Sequence, residues 1–276
     1  MIVRGMRGLG DNIYQRAFVK PLQDRCAVYL DTPWPQLYSD LPNVRFIRPV
    51  TQLRTQRKNL ERFNSWSQAP RHMQELRIAY GSEGILSGMR GCFRVPHGEF
   101  DLPDFGPPRF EQPYVVVRPV TIRKEWLAET RNPLPEYVAQ AAAHAAALGY
   151  RVVSVADLAD GHEWAVGLPP AHDRFHAGEL GVEQLLALIQ GAAAVIGPIG
   201  WIVPAAIAAN VPAWIICGGQ GGFNSPSNIC PQGTQVSFAV PDNFCKCKLK
   251  QHDCDKRINN HENQFAHWTV QHLPVV

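Results

Sequence analysis

Short apolar runs alternate with stretches of helical period along this chain. Residues 1–4 predict a strand, the glycine-rich turn Gly5-Met-Arg-Gly8-Leu-Gly10-Asp11 follows, and apolar spacing predicts a helix over 12–22. Residues 25–31 contain Cys-Ala-Val-Tyr-Leu, a second buried strand, and 44–47 a third. Leu53, Leu60 and Phe63 share one face of a helix over 52–64, with arginines on the others, and 73–80 is expected to continue it. Alternation of strand and helix implies a mostly parallel sheet with helices on its faces.

The pattern breaks at 102–113, where four prolines in twelve residues make a stiff segment. It then restarts more cleanly. Strands are predicted at 114–117, 151–155, 193–196 and 213–217, with helices over 135–148, 181–190 and 203–209. The expected organisation is an N-terminal α/β domain at 1–105, a proline-rich linker at 106–113, a C-terminal α/β domain at 114–258 with a cysteine-rich loop at 230–254, and a tail at 259–276. Two doubly wound domains facing each other would leave a cleft, with a donor site in one and an acceptor site in the other.

No charged residue occurs from Gln184 to Pro241, and 192–217 is apolar enough to suggest a membrane span. Pro198, Pro204, Pro212, Gly197, Gly200 and Asn210 interrupt it, so it reads as two buried strands around a buried helix. Residues 1–5 lack the apolar segment of a secretory leader, and the cysteines do not form a secreted disulfide framework, so the expected setting is cytoplasmic.

Charge changes the picture more than composition does. The formal sum is +3, but residues 1–138 carry 20 basic against 14 acidic side chains, and 139–276 carry 7 against 10. Ten basic residues fall in 45–94. The first half is thus suited to an anionic partner.

Candidate chemistry follows. Asp11 at a strand-to-helix turn is either a helix cap or a general base facing a ligand, and Gly8 and Gly10 would let the backbone approach that ligand. Arg118 and Lys124 follow a strand end, where cations can neutralise a leaving diphosphate or lie on a solvated loop. Gly197 and Gly200 stand before a buried helix whose N–H groups could face phosphate, or they form a tight turn. The loop 217–227 carries four glycines and is either a mobile cover or a simple connection. Cys230, Cys245, Cys247 and Cys254, or three of these with His252, could hold a structural zinc; free thiols and disulfides are the alternatives. Lys246, Lys248, Lys250, Lys256 and Arg257 surround them, so such a site could hold a basic loop over an anion. His162, His172 and His176, near Glu163 and Asp173, match no ligand spacing and read as a polar surface loop.

Gly8-Leu9-Gly10-Asp11 before an apolar helix resembles the N-terminal signature of the heptosyltransferase-like glycosyltransferases. Val115-Val-Val-Arg118-Pro119 with Arg123-Lys124-Glu125-Trp126, and the segments 183–197 and 197–212, are similar to that family's donor half. The resemblance covers roughly 1–25 and 114–220. It implies a GT-B architecture, Asp11 as the base on an acceptor hydroxyl, Arg118 and Lys124 as donor-phosphate contacts, inversion at the sugar, and no catalytic metal. One departure stands out. Ile199 replaces the family's hydroxyl or acid, and the histidine that the family carries shortly after the glycine is missing around Val203-Pro204. The implied activity is transfer from a nucleotide-sugar to an anionic acceptor, either a hydroxymethylated DNA base or a lipopolysaccharide-type glycan. The alternative is a non-catalytic nucleotide or nucleic-acid binding protein on a degenerate GT-B scaffold.

Overall fold

The computed structural model describes residues 1–79 and 84–276. The chain divides into two compact units, Met1–Phe105 and Gly106–Val276.

Unit 1 contains β1 (Ile2–Arg4), α1 (Leu9–Gln23), β2 (Val28–Asp31), β3 (Val44–Ile47), α2 (Arg54–Glu61), β4 (Glu75–Arg77) and α3 (Ile85–Phe93). Its strands form a parallel sheet in the order β3-β2-β1-β4. The chain winds from β1 out to β3, then returns to the other side of β1. The strand order therefore reverses beside β1, and the turn after β1 lies at that switch point. The expected helix over 73–80 is instead the strand β4, with Tyr80 outside the described residues. Leu76 and Ile78 are turned inward while Glu75, Arg77 and Ala79 are exposed. This two-residue period matches pairing on the free edge of β1, which outweighs the local helical character.

Helix α1 anchors the unit. Ile13, Ala17 and Phe18 are buried, and Phe18 stacks on Phe93 of α3 at 5.3 Å. Pro21 lies inside the helix and cannot bond the carbonyl of Ala17. The Gly98 N–H donates to that carbonyl instead, at 2.7 Å. Arg16 is fully buried and bonds bidentately to Asp40 at 2.6 Å, with further contacts to Asp101 and the Leu37 carbonyl. These partners hold the guanidinium charged and pull the Asp40 carboxyl below the usual range, against the desolvation that burial imposes on both.

Unit 2 contains β5 (Tyr114–Val117), β6 (Thr121–Arg123), α4 (Pro135–Ala147), β7 (Arg151–Val155), β8 (Glu163–Ala165), β9 (Asp173–Phe175), α5 (Val182–Gln190), β10 (Ala194–Pro198), α6 (Ile202–Ala209), β11 (Ala213–Ile216), the one-turn helices α7 (Gly221–Asn224) and α8 (Pro226–Ile229), β12 (Val236–Ala239) and α9 (His261–His272). Six parallel strands run in the order β12-β11-β10-β5-β7-β9. The chain starts at the middle strand β5, goes out through β7 to β9, and returns to the other side of β5 as β10. The switch point is therefore between β5 and β10. A small antiparallel pair, β6-β8, stands beside the sheet.

The alanine-rich face of α4 lets that helix sit close on the sheet, where Ala141, Ala142 and Ala145 are buried. Residues 259–276, expected as a tail, supply α9, whose Phe265 and Trp268 pack on Trp214 and close the core. The charge-free stretch forms β10, α6 and β11, all largely buried, and no helix among the described residues is long and apolar enough to cross a membrane.

His261 joins this core and accepts from the Trp214 indole N–H at 3.2 Å. Burial pushes its pKa down to about 4. Between about pH 6.5 and 4 the unfolded chain therefore binds a proton that the folded chain refuses, so stability is lost as pH falls through that window. The loss at pH 4 is expected to be on the order of 3 kcal/mol from this group alone. Denaturant unfolding at pH 7 and pH 4 checks it; His261→Gln should flatten the difference.

Candidate functional site

The turn after β1 is held by buried polar groups rather than by a cap. The residue before α1 is Gly8, which has no side chain, so Asp11 is not the N-cap that its position suggested; it occupies the third helical position. A Cβ on Gly8 would lie 2.5 Å from Asp11 Oδ2, so the carboxylate folds back over Gly8, half-buried in the first turn. Gly10 is the second helical residue beside it. Asn12, fully buried, donates to the carbonyls of Met6 and Gly8 and accepts from Thr32 Oγ1 at 2.6 Å. Tyr38, Gln15, Trp34 and Gln56 continue this network, the last two donating to the Arg7 carbonyl. Asp31 at the end of β2 is buried and takes Arg4 and Arg7. The loop bearing Asp11 is therefore rigidly placed at the sheet's switch point.

In unit 2 the structure brings together three of the sequence-predicted residues. Arg118 directly follows β5, Gly197 is in β10, and Gly200 precedes α6. A Cβ at Gly197 would lie 3.0 Å from both the Cβ and the carbonyl oxygen of Arg118, and one at Gly200 would lie 2.8 Å from Arg118 Nη1. Neither position has room for a side chain while the guanidinium rests on the α6 entrance. Arg118 donates to Thr121 Oγ1 at 3.3 Å. Burial, with the nearby Arg131 and Arg123 acting in the same direction against the pull of Glu163, pushes its pKa down to about 10. It remains a cation at neutral pH. Glu163 is buried and accepts from Thr121 at 3.1 Å and from Arg123 at 2.8 Å. Arg118 thus lies near one buried carboxylate that is already bound to Arg123, with Arg123 and Arg131 both opposing its charge, an environment that favours an incoming anion.

Lys124 does not join this group; it is exposed beyond β6, and its backbone N–H donates to the His162 carbonyl. Glu163 was missed in the sequence. It was read as part of a polar loop, and its partners lie about forty residues upstream, so no local pattern marks it. His172 and His176 bond the Val152 N–H and Ser154 Oγ of β7, which makes them sheet supports.

Of the two ligand sets that the sequence allowed, four cysteines or three with His252, the structure forms the second. Cys245, Cys247, Cys254 and His252 have their ligand atoms within 4.8 Å of one another. Cys230 is elsewhere, its thiol 3.1 Å from Thr234 Oγ1. His252 takes its place because it stands two residues from Cys254, with Nδ1 3.1 Å from that sulfur and 3.7 Å from Cys245 Sγ. Cys247 Sγ is 3.6 Å from Cys254 Sγ. Tetrahedral zinc with Zn–S bonds of about 2.3 Å needs sulfurs about 3.8 Å apart, so three thiols and an imidazole here fit a structural metal.

This knuckle explains the glycine-rich loop. Gly221 and Gly222 N–H groups donate to the carbonyls of Cys245 and Cys247, and Gly219 packs against Cys254. Side chains at these glycines would separate the two segments. The amides at the start of α7 are therefore committed to the cysteine segment. A cavity of about 790 Å³ opens beside the cluster, lined by Glu129, Thr130, Leu134 and residues 251–257.

Two parallel Rossmann-like sheets with loops concentrated at their switch points define the GT-B class of α/β fold. Compared with protein-family models and with curated proteins, the sequence matches none. Solved structures do match over nearly the whole chain. The iron-containing dodecameric glycosyltransferase TibC of enterotoxigenic E. coli is 16% identical, with a TM-score of 0.62, covering 98% of this chain and 71% of that one. E. coli heptosyltransferase WaaC, solved with ADP, is 13% identical, with a TM-score of 0.59 and 98% of each chain covered. E. coli ADP-heptose lipopolysaccharide heptosyltransferase II is 16% identical, with a TM-score of 0.56, covering 96% and 97%. The chain has the α/β fold of these GT-B heptosyltransferases, as the motifs of the two sequence segments implied.

Proposed function

We propose that the chain is a glycosyltransferase of the heptosyltransferase type, moving a sugar from a nucleoside-diphosphate donor to a hydroxyl of an anionic acceptor. The observation that carries this reading is the Arg118 guanidinium seated on Gly200 at the β5–β10 switch point. There a diphosphate would meet a desolvated cation, two further arginines and the entrance of α6. TibC has been solved with ADP-D-β-D-heptose and WaaC with ADP, which makes an ADP-sugar the first donor to test.

In this reading Asp11 removes the proton from the acceptor hydroxyl as that oxygen attacks the anomeric carbon. The bond from that carbon to the diphosphate breaks, the electron pair leaves with the phosphate oxygen, and the configuration inverts. Arg118 balances the charge that develops on the leaving group. The exposed arginines Arg48, Arg57, Arg71 and Arg94 of unit 1 suit an anionic acceptor, a hydroxymethylated DNA base or a lipopolysaccharide-type glycan. Ile199 and the lack of a histidine around Val203-Pro204, just after Gly200, favour the second reading, a binding protein that keeps the scaffold without turnover.

Thermal unfolding with a panel of nucleotide-sugars tests the donor site. At least one ADP-, UDP- or GDP-sugar is expected to raise Tm by several degrees at millimolar concentration. No shift with any donor would remove the enzyme reading.

The cluster Cys245, Cys247, His252 and Cys254 is assigned a structural metal in the same reading, holding the cysteine segment against the glycine loop. Zinc suits the donor set, and iron is the competitor because TibC is described as iron-containing. Metal analysis of the purified protein should find about one equivalent per chain, and chelation should lower Tm. Less than about half an equivalent would contradict the assignment.

A further inference from the structure

The knuckle carries a surface that the proposed donor chemistry does not use. Unit 2 has 12 basic and 14 acidic side chains, yet 244–252 holds three lysines and no acid. All three, Lys246, Lys248 and Lys250, are exposed. The carbonyls of Cys245 and Cys247 accept from the Gly221 and Gly222 amides, so this segment is laid along the glycine loop with its three lysine side chains exposed. Large apolar side chains remain in water beside them. Trp126 is 55% exposed, Phe223 41% and Leu249 55%. Lys250 Nζ lies 4.3 Å from the Trp126 ring centre, and Lys248 Nζ 5.4 Å from that of Phe223. Asp255 is paired with Arg257, so its charge is already met.

We infer that this face binds single-stranded nucleic acid, with Lys246, Lys248 and Lys250 on successive phosphates and Trp126 and Phe223 stacking on bases. A group of exposed cations beside exposed rings is the arrangement that tracks a strand without reading its sequence. A duplex offers the phosphates but keeps its base faces stacked, so it can use only the lysines. An anionic bilayer would use the same lysines with Leu249 and the rings inserted, and is the competing occupant. The inference is independent of which sugar, if any, the chain transfers, because the lysines touch neither Arg118 nor Gly200.

The test is fluorescence anisotropy of the metal-loaded full chain with labelled dT12, a 12-base-pair duplex, and phosphatidylglycerol vesicles. The wild type should bind dT12 more tightly than the duplex or the vesicles. Three phosphates neutralised on a single strand give a contribution of about −2 to the slope of log K against log salt. Lys246→Gln/Lys248→Gln/Lys250→Gln should remove that contribution. Trp126→Ala should weaken dT12 about tenfold or more at an unchanged slope, which a loss of charge alone would not do. Circular dichroism and the nucleotide-sugar thermal shift confirm that each variant is folded. No binding of dT12 at 50 mM salt, an unchanged slope in the triple variant, or a preference for vesicles or duplex that the variants abolish would each overturn the inference.

Discussion

Asp11→Asn is expected to lower kcat by about a hundred- to ten-thousand-fold while leaving donor binding unchanged. The substitution keeps the side chain's size and its seat over Gly8, where the carboxylate Oδ2 lies 2.5 Å from the position of a Cβ. It removes the ability to accept a proton. The buried network of Asn12, Gln15, Thr32 and Tyr38 holds the turn, so folding should survive. Steady-state rates with a donor identified by thermal shift measure the effect, and the same shift in the variant shows that the donor site is intact. A loss of binding with no loss of kcat would mean that Asp11 positions substrate and is not the base.

The second large effect falls on the other unit. Arg118→Ala should weaken a nucleoside diphosphate on the order of ten- to a hundred-fold, the usual worth of a hydrogen-bonded charge contact. The physical reason is the imbalance around it. Arg123 and Arg131 both oppose the Arg118 charge, and the nearby buried carboxylate of Glu163 is already bound to Arg123 and Thr121. Burial has removed much of the water that would otherwise stabilise the Arg118 charge, so an entering diphosphate relieves both desolvation and like-charge repulsion. Calorimetric titration with ADP checks the affinity. Removing Arg118 also removes that repulsion, so the variant should be no less stable than the wild type in the absence of nucleotide.

The parts of the fold legible in the sequence were those with local signals. The apolar runs at 114–117, 151–155 and 213–217 are buried strands because every residue or nearly every residue in them faces a layer of the core. The charge-free stretch resolved into β10, α6 and β11 because its prolines and glycines mark the turns. What failed depended on distant pairing. Glu75–Arg77 becomes a strand only because β1 offers a free edge, although the alternation of Leu76 and Ile78 could have signalled it. β8 and β9 were hidden in a polar loop, since β8 meets β6 and β9 meets β7 with few apolar residues of their own.

The candidate site divides in the same way. Arg118, Gly197 and Gly200 were legible because they end strands or open a helix, where a sheet's ligands gather. The buried Glu163 was not, because it depends on which loops pack together, and the same packing decides between the two ligand sets that the sequence allowed, four cysteines or three with His252. Asp11 stood out by its turn, and of the two roles open to it there, helix cap or base, the structure removes the N-cap. One glycine earlier in the turn starts the helix, and that moves the carboxylate from the cap to the first turn.

The most direct measurement of the central claim follows both products of a transfer by mass spectrometry. The protein is incubated with the stabilising nucleotide-sugar and, in turn, a hydroxymethylated oligonucleotide and a truncated lipopolysaccharide core. The account predicts nucleoside diphosphate released in step with the mass of one sugar gained by one acceptor, and loss of both in Asp11→Asn. Nucleoside diphosphate release that continues unchanged in Asp11→Asn, or a bound donor that stays intact with every acceptor, would contradict it.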